Sequence, residues 1–248
     1  HAQSSTLTYV VYAADQSECI VIDPVLDFDM NSATVHTDSA DRIIEFIEQN
    51  GLVLHTVLET HAHADHMSAA MWLKQRCDAS IGIGSGIKAI QQHFAPLYGM
   101  APESADVTSY FDFLVEDGDA LTVGALSIKC MHVPGHTPAC MAYAIGDAIF
   151  VGDTLFMPDS GTARCDFPGG SASALFESVQ KLLAMPADTR LFVCHDYQPN
   201  GRELSYVATI GEHREANIHI NDGSTQKEFV NLRTTRDKTL SMPSLMLP

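Results

Sequence analysis

The string Thr60-His61-Ala62-His63-Ala64-Asp65-His66 follows directly on a short apolar run, residues 52–58, that reads as a buried strand. No other feature constrains the chain as strongly. Three more ligand-type residues follow strand-like runs in the same way: His136 after 126–132, Asp153 after 148–151 and His195 after 191–194. Side chains on loops at strand ends are held by a rigid sheet yet stay open to solvent, which suits a reacting centre. His61 and His63 are two apart, so they do not share a helical face, but a turning loop can aim both at one centre. Asp65 and His66 are expected to open the next helix, which runs on over 67–76. Up to five histidines and two aspartates thus surround one pocket. Imidazole and carboxylate suit borderline transition metals such as zinc and iron. No cysteine belongs to the group, which disfavours a closed structural zinc site. Cys130 and Cys194 read as core residues of strands.

The rest of the chain supplies a scaffold for such a pocket. It has 248 residues, 46% of them hydrophobic, enough for a sizeable core. Lys+Arg is 14 against Asp+Glu 31, a net charge of −17, which disfavours nucleic acid and acidic membrane surfaces as partners. No apolar run approaches the roughly 20 residues of a membrane span, and no basic and apolar leader is visible. Six scattered cysteines without a CxxC pair fit reduced thiols and a cytoplasmic location. No linker or break in composition divides the chain. The expectation is one domain over 1–248, with 200–248 an accessory, polar and partly helical segment. A homo-oligomer is left open.

Strands are expected at 7–13 and 19–22, followed by a loop from Asp23-Pro24 to Thr37. Ile43, Ile44, Phe46 and Ile47 lie at helical spacing behind a cap at Asp38 or Ser39, and Asn50-Gly51 ends that helix. Residues 81–83 read as a strand, 93–108 as an irregular excursion, 140–145 and 148–151 as a hairpin, and 172–183 as a helix. The alternation predicts a mixed α/β fold in which two sheets stack between helices.

These residues resemble the motifs of the metallo-β-lactamase superfamily. The 60–66 string looks like its central motif. Pro134-Gly135-His136-Thr137-Pro138, Gly152-Asp153-Thr154 and Cys194-His195-Asp196 look like its later motifs, in the same order. The resemblance spans nearly the whole chain and implies an αββα four-layer sandwich with the metal pocket on one edge. Ile22-Asp23-Pro24-Val25-Leu26, Leu58-Glu59-Thr60-His61, the run from Met157 to Gly170 and Cys194-His195-Asp196-Tyr197 narrow the likeness. They resemble the persulfide dioxygenase (sulfur dioxygenase) group and, more narrowly, the bacterial β-lactamase hydrolase-like proteins.

That resemblance implies one Fe(II) per chain, held by His61, His136 and Asp153. It also implies a glutathione-type persulfide oxidised by O2 to sulfite and thiol. The glyoxalase II relatives imply an alternative, a zinc thioester hydrolase. There His61, His63, His136 and Asp153 would hold one ion, while Asp65, His66, His195 and a shared Asp153 would hold a second. In the dioxygenase reading Asp65, His66 and His195 support the chemistry around the metal, and His63 is a ligand only in the hydrolase arrangement. Arg164 and Tyr197 match positions that contact substrate, and Cys165 reads as a small buried loop residue. Relatives run somewhat past the Ser244-Leu245-Met246-Leu247-Pro248 end.

Overall fold

The computed structural model describes residues 1–101 and 109–243. Alternating apolar residues build two sheets. The first has the order β1 (Tyr9–Tyr12), β2 (Glu18–Ile22), β5 (Val53–Glu59), β7 (Ser80–Gly84), β8 (Phe113–Val115). The second runs β14 (Val207–Thr209), β13 (Arg190–Phe192), β12 (Ala148–Phe150), β11 (Met141–Ile145), β10 (Leu126–His132), β9 (Ala120–Val123).

Successive side chains of a strand point to opposite faces. Ile20 and Ile22 therefore meet Ile128, Tyr143 and Phe150 between the sheets. Cys19 and Val21 face the other way, onto Ile47 and Leu73 of helices α1 (Asp38–Gln49) and α2 (Ala70–Cys77). Across the molecule, Ile149 and Leu191 face Leu175, Val179 and Leu182 of α4 (Ala172–Leu183), together with Ile210 of α5 (Ile210–Ala216) and Phe229 of α6 (Gln226–Asp237). The result is the four-layer αββα sandwich. Each such fully buried aliphatic side chain stabilises it by roughly 1.5–3 kcal/mol.

Three expectations change. Residues expected to form a loop build β3 (Val25–Asp29) and β4 (Thr34–His36), which join β6 (Met67–Ser68) in a small third sheet. The helix expected from Asp65 starts only at Ala70, because Met67 and Ser68 pair with Leu26 and Val25. Part of the expected irregular excursion is helix α3 (Ile87–Leu97), whose last turn tolerates Pro96. Residues 102–108 of that stretch and 244–248 at the end lie outside the described residues. Among the described residues no helix is long and apolar enough to cross a membrane. Beyond residue 200, β14 pairs with β13 and α6 packs on α4.

Topology brings the ligand loops together. β12 and β13 are parallel, and β10 runs the same way because two antiparallel pairings, through β11, separate it from β12. Their C-terminal ends, which precede His136, Asp153 and His195, thus share one sheet edge.

Two glycines allow the loops their close approach. Gly135 has φ +143, and a Cβ there would meet the Leu175 backbone at 2.4 Å. Gly152 has φ +52, and a Cβ there would lie 2.4 Å from Thr60 Oγ1. Gly152→Ala is therefore expected to lower stability by about 2 kcal/mol or more, read as the urea midpoint. An unchanged midpoint would contradict this packing.

The C-terminal segment from α5 to α6 carries an acid sensitivity. Burial holds the His213 imidazole down at about 4. Burial and the Arg233 charge hold His219, which accepts the Thr162 N–H at 2.9 Å, down at about 4 as well. Both groups are neutral in the fold and gain a proton on unfolding below about pH 6.5. Their stabilisation is full above that pH and is lost as pH falls toward 4. The urea midpoint should drop across this window, with His213 contributing on the order of 2–3 kcal/mol. His213→Gln should make the drop shallower, and a profile that matches the wild type would refute this origin.

Candidate metal centre

Ligand atoms of His61, His136 and Asp153 lie within 4.8 Å of one another, and all three residues are buried. Asp153 Oδ2 is 3.9 Å from His61 Nε2 and 3.6 Å from His136 Nε2. The two rings meet edge to face, with centroids 5.2 Å apart.

Each imidazole is oriented from behind. His136 Nδ1 donates to the Arg164 carbonyl at 2.8 Å. His61 Nδ1 donates to Thr60 Oγ1 at 2.9 Å, and that hydroxyl passes its own proton to Asp23 Oδ2 at 2.7 Å. These bonds set the tautomers and leave both Nε2 lone pairs facing the carboxylate. Burial and the surrounding histidines hold His61 well below the usual histidine range. Burial lowers His136 too, against the pull of Asp153. Neutral imidazoles are the form that binds metal.

A divalent ion fits this donor set. Two Nε2 atoms and one carboxylate form the 2-His-1-carboxylate face known for non-haem iron, with positions left for other ligands. Asp153 Oδ1 is buried without a hydrogen bond, although His195 Nε2 approaches to 3.3 Å. An ion beside the carboxylate would complete what the protein leaves unsatisfied.

The other ligand-type residues are distributed differently. Asp65 Oδ2 accepts from His66 Nδ1 at 3.0 Å and lies 3.6 Å from His195 Nε2. Although burial pushes the Asp65 carboxyl up, the His66 bond and the nearby imidazoles bring it well below its usual range. Burial lowers His66, and its Nε2 is buried without a partner. Asp65, His66 and His195 do not gather into one ligand set among the described residues. Asp65 and His66 group with His63, while His195 groups with Asp153 and Cys194.

His63 is not brought to the His61–His136–Asp153 set. Its Nε2 lies 3.2 Å from both Asp23 Oδ1 and Glu59 Oε2. Burial disfavours its charge, but the two carboxylates prevail and raise it well above the usual range. Its Nδ1 is buried without a hydrogen-bond partner.

Cys194, expected in the core, is buried but borders the site. Its Sγ donates to Asp23 Oδ2 at 3.6 Å.

A cavity of about 320 Å³ opens from the triad, walled by Phe156, Phe167, Tyr197, Arg164, Arg233 and Arg236. Arg164 reaches this wall, but its Nε and Nη2 grip Asp166 at 2.6 and 2.8 Å, and its Nη1 donates to the Ser241 carbonyl at 2.5 Å. Tyr197 stacks on His195, with ring centroids 5.7 Å apart. Cys165 is buried, and its backbone N–H donates to Asp237 Oδ2 at 2.8 Å.

Three residues escaped the sequence reading as parts of the site. Asp23 sits at the end of β2, beside β5, with φ +49, a strained value for a residue with a Cβ. There it accepts from Thr60 N and Oγ1, each at 2.7 Å. Glu59 is the last residue of β5, and its buried side chain faces His63. Thr6 Oγ1 lies 3.4 Å from Asp65, 3.3 Å from His66 Nδ1 and 3.5 Å from His195 Nδ1. An Asp-Pro strand stop and a carboxylate just before the histidine string were the only local signals. Thr6 had none.

A family model described as the metallo-beta-lactamase superfamily matches residues 3–195. A probable metallo-hydrolase of Burkholderia pseudomallei is 49% identical over 98% of this chain and 86% of its own length. A beta-lactamase hydrolase-like protein of Xylella fastidiosa is 47% identical over 99% of this chain, which spans only 56% of that relative. The human mitochondrial persulfide dioxygenase ETHE1 is 30% identical over 88% of this chain and 72% of its own. The crystal structure of ETHE1 from Myxococcus xanthus superposes with a TM-score of 0.79 at 28% identity, covering 99% of this chain and 92% of that one. On the strength of its sandwich, its strand-end ligands and this match, the chain belongs to the metallo-β-lactamase superfamily.

Proposed function

We propose that the protein is a mononuclear non-haem iron dioxygenase acting on a low-molecular-weight persulfide such as glutathione persulfide. One observation carries this reading: the donors of His61, His136 and Asp153 stand together, while His63 falls outside that set with its Nε2 held by Asp23 and Glu59. These three residues would hold Fe(II). Iron supplies the capacity to bind a sulfur anion and dioxygen side by side and to exchange electrons with both, which zinc lacks. The overall change is RSSH + O2 + H2O → RSH + SO3²⁻ + 2H⁺. The outer sulfur is oxidised, dioxygen is reduced, and the S–S bond breaks to release the thiol.

The surrounding residues have distinct parts. The Arg164 carbonyl and Thr60 keep the two imidazoles aimed at one point. His195 and Asp65, on the other side of Asp153, are placed to hold water and take up the protons it releases. His66 orients Asp65 through its Nδ1. Phe156 and Phe167 keep bulk solvent from the reacting sulfur, while Tyr197 and the arginines of the wall suit an anionic thiol carrier. The similarity to the human and Myxococcus ETHE1 proteins supports the same reading. A second reading, a glyoxalase II-like zinc thioester hydrolase, draws on the metallo-hydrolase relative and on the presence of all seven ligand-type residues.

Protein loaded anaerobically with Fe(II) should bind one ion per chain. On addition of glutathione persulfide it should consume O2 and release sulfite and glutathione in equal amounts. Zinc-loaded protein should do neither. Two tightly held zincs per chain with cleavage of S-lactoylglutathione, and no O2 uptake on the persulfide, would establish the hydrolase instead.

His136→Ala and Asp153→Asn should each reduce O2 uptake by about 100-fold or more while circular dichroism stays unchanged. Turnover that survives either substitution in a folded protein would remove those residues from the centre.

A further inference from the structure

We propose that Asp237, on α6, is a positioning residue for His136, acting through the peptide group that joins Arg164 to Cys165 to aim that imidazole and strengthen it as a metal ligand. The inference rests on His136 being a ligand of the centre described above. His136 Nδ1 lies 2.8 Å from the Arg164 carbonyl oxygen. A carbonyl can only accept, so Nδ1 carries the proton and Nε2 keeps its lone pair. The N–H of the same peptide, on Cys165, donates to Asp237 Oδ2, also at 2.8 Å. The N–H and C=O of a trans peptide point in opposite directions, so carboxylate, peptide and imidazole form one chain of hydrogen bonds.

The far end of that chain is fixed. Arg233 Nη2 grips Asp237 Oδ1, which leaves Oδ2 for Cys165, and Arg233 Nη1 donates to the Thr162 carbonyl at 2.8 Å. Arg233 and Asp237 stand four apart on α6 and so share one face. Their side chains are at most 5% exposed, and the guanidinium supplies the buried carboxylate with its counter-charge. The Thr162 N–H is held in turn by His219 Nδ1 at 2.9 Å. The stretch from Thr162 to Cys165 is thus tied to the C-terminal segment at both ends, and the Arg164 carbonyl meets His136 from between them.

The consequence is electronic as well as steric. A carboxylate on the peptide N–H polarises the group and puts more negative charge on its carbonyl oxygen. The Nδ1–H bond tightens and Nε2 becomes a better donor, the effect a carboxylate has when it meets a ligand imidazole directly. A plain brace would act differently. α6 also docks on α4 through Phe229, whose ring lies 5.7 Å from that of Phe176, and a brace would depend on that packing rather than on the charge at Asp237.

The Nδ1 proton of His136 reports the chain directly. In protein isotopically labelled at the histidine nitrogens and loaded with one equivalent of zinc(II), which is diamagnetic, it should appear as a slowly exchanging downfield resonance that His136→Ala removes. Asp237→Asn keeps the size and an acceptor oxygen but removes the charge. It should move this resonance upfield, speed its exchange and weaken zinc binding about tenfold. Phe229→Leu should lower the urea midpoint yet leave resonance and affinity at the wild-type values. Arg233→Gln combined with Asp237→Asn, which buries no unpaired charge, should give the same two changes as Asp237→Asn and carries the test if the single variant does not fold.

Folded neutral variants with the wild-type resonance and zinc affinity would overturn the proposal. So would equal changes in Phe229→Leu, which would reduce Asp237 to part of a brace. If both readings respond as expected but iron-loaded wild type consumes no O2 with persulfide, the proposed activity fails and the positioning role stands. If His136→Ala binds zinc as tightly as wild type, His136 is no ligand and both fail.

Discussion

A buried carboxylate shared among imidazoles governs this structure. Asp153 turns Oδ2 toward His61 and His136 and Oδ1 toward His195. All four residues are buried, so each depends chiefly on its neighbours for polar contacts. The loops bearing them leave four strands in two sheets. The core between those sheets, from Ile20 to Phe150, must therefore be packed before the cluster exists. The hydrogen bonds behind the cluster then decide which nitrogen each ring presents. The Arg164 carbonyl and the Asp23–Thr60 relay do for His136 and His61 what the cluster could not do for itself.

Two carboxylate–imidazole assemblies lie side by side, and they differ in composition. Asp153 meets several imidazoles and keeps one oxygen without a hydrogen bond, a set that a cation would complete. His63 meets two carboxylates, a set that a proton on the ring completes. Neighbouring residues of one seven-residue string are thereby shifted in opposite directions. Their relative placement depends on Asp23, whose φ of +49 is the strained backbone value that seats it between Thr60 and His63.

The strand-end logic was legible because each ligand follows an apolar run whose period marks it as a strand, as with 126–132 before His136 and 148–151 before Asp153. Helix α4 was legible to its ends, since Ser171 caps it and apolar residues recur at helical spacing. The β3–β4 hairpin was not legible. Its pairs, Asp27 with His36 and Phe28 with Val35, offer no continuous apolar face. The Asp65–His66 segment read as helix because α2 follows closely, yet pairing of Met67 with Leu26 delays the helix to Ala70. Asp23, Thr6 and Cys194 reach the centre through contacts 37 to 189 residues apart in sequence, and such pairings leave no local pattern. Glu59 directly precedes the 60–66 string, but its contact depends on where His63 turns, which no spacing rule states.

A crystal structure of the protein loaded with iron, with anomalous scattering at the iron edge, tests the central claim most directly. It should show one ion per chain bound by His61 Nε2, His136 Nε2 and an Asp153 oxygen, with His63 still between Asp23 and Glu59. Two ions bridged by Asp153, with His63 turned in to ligate one of them, would contradict it.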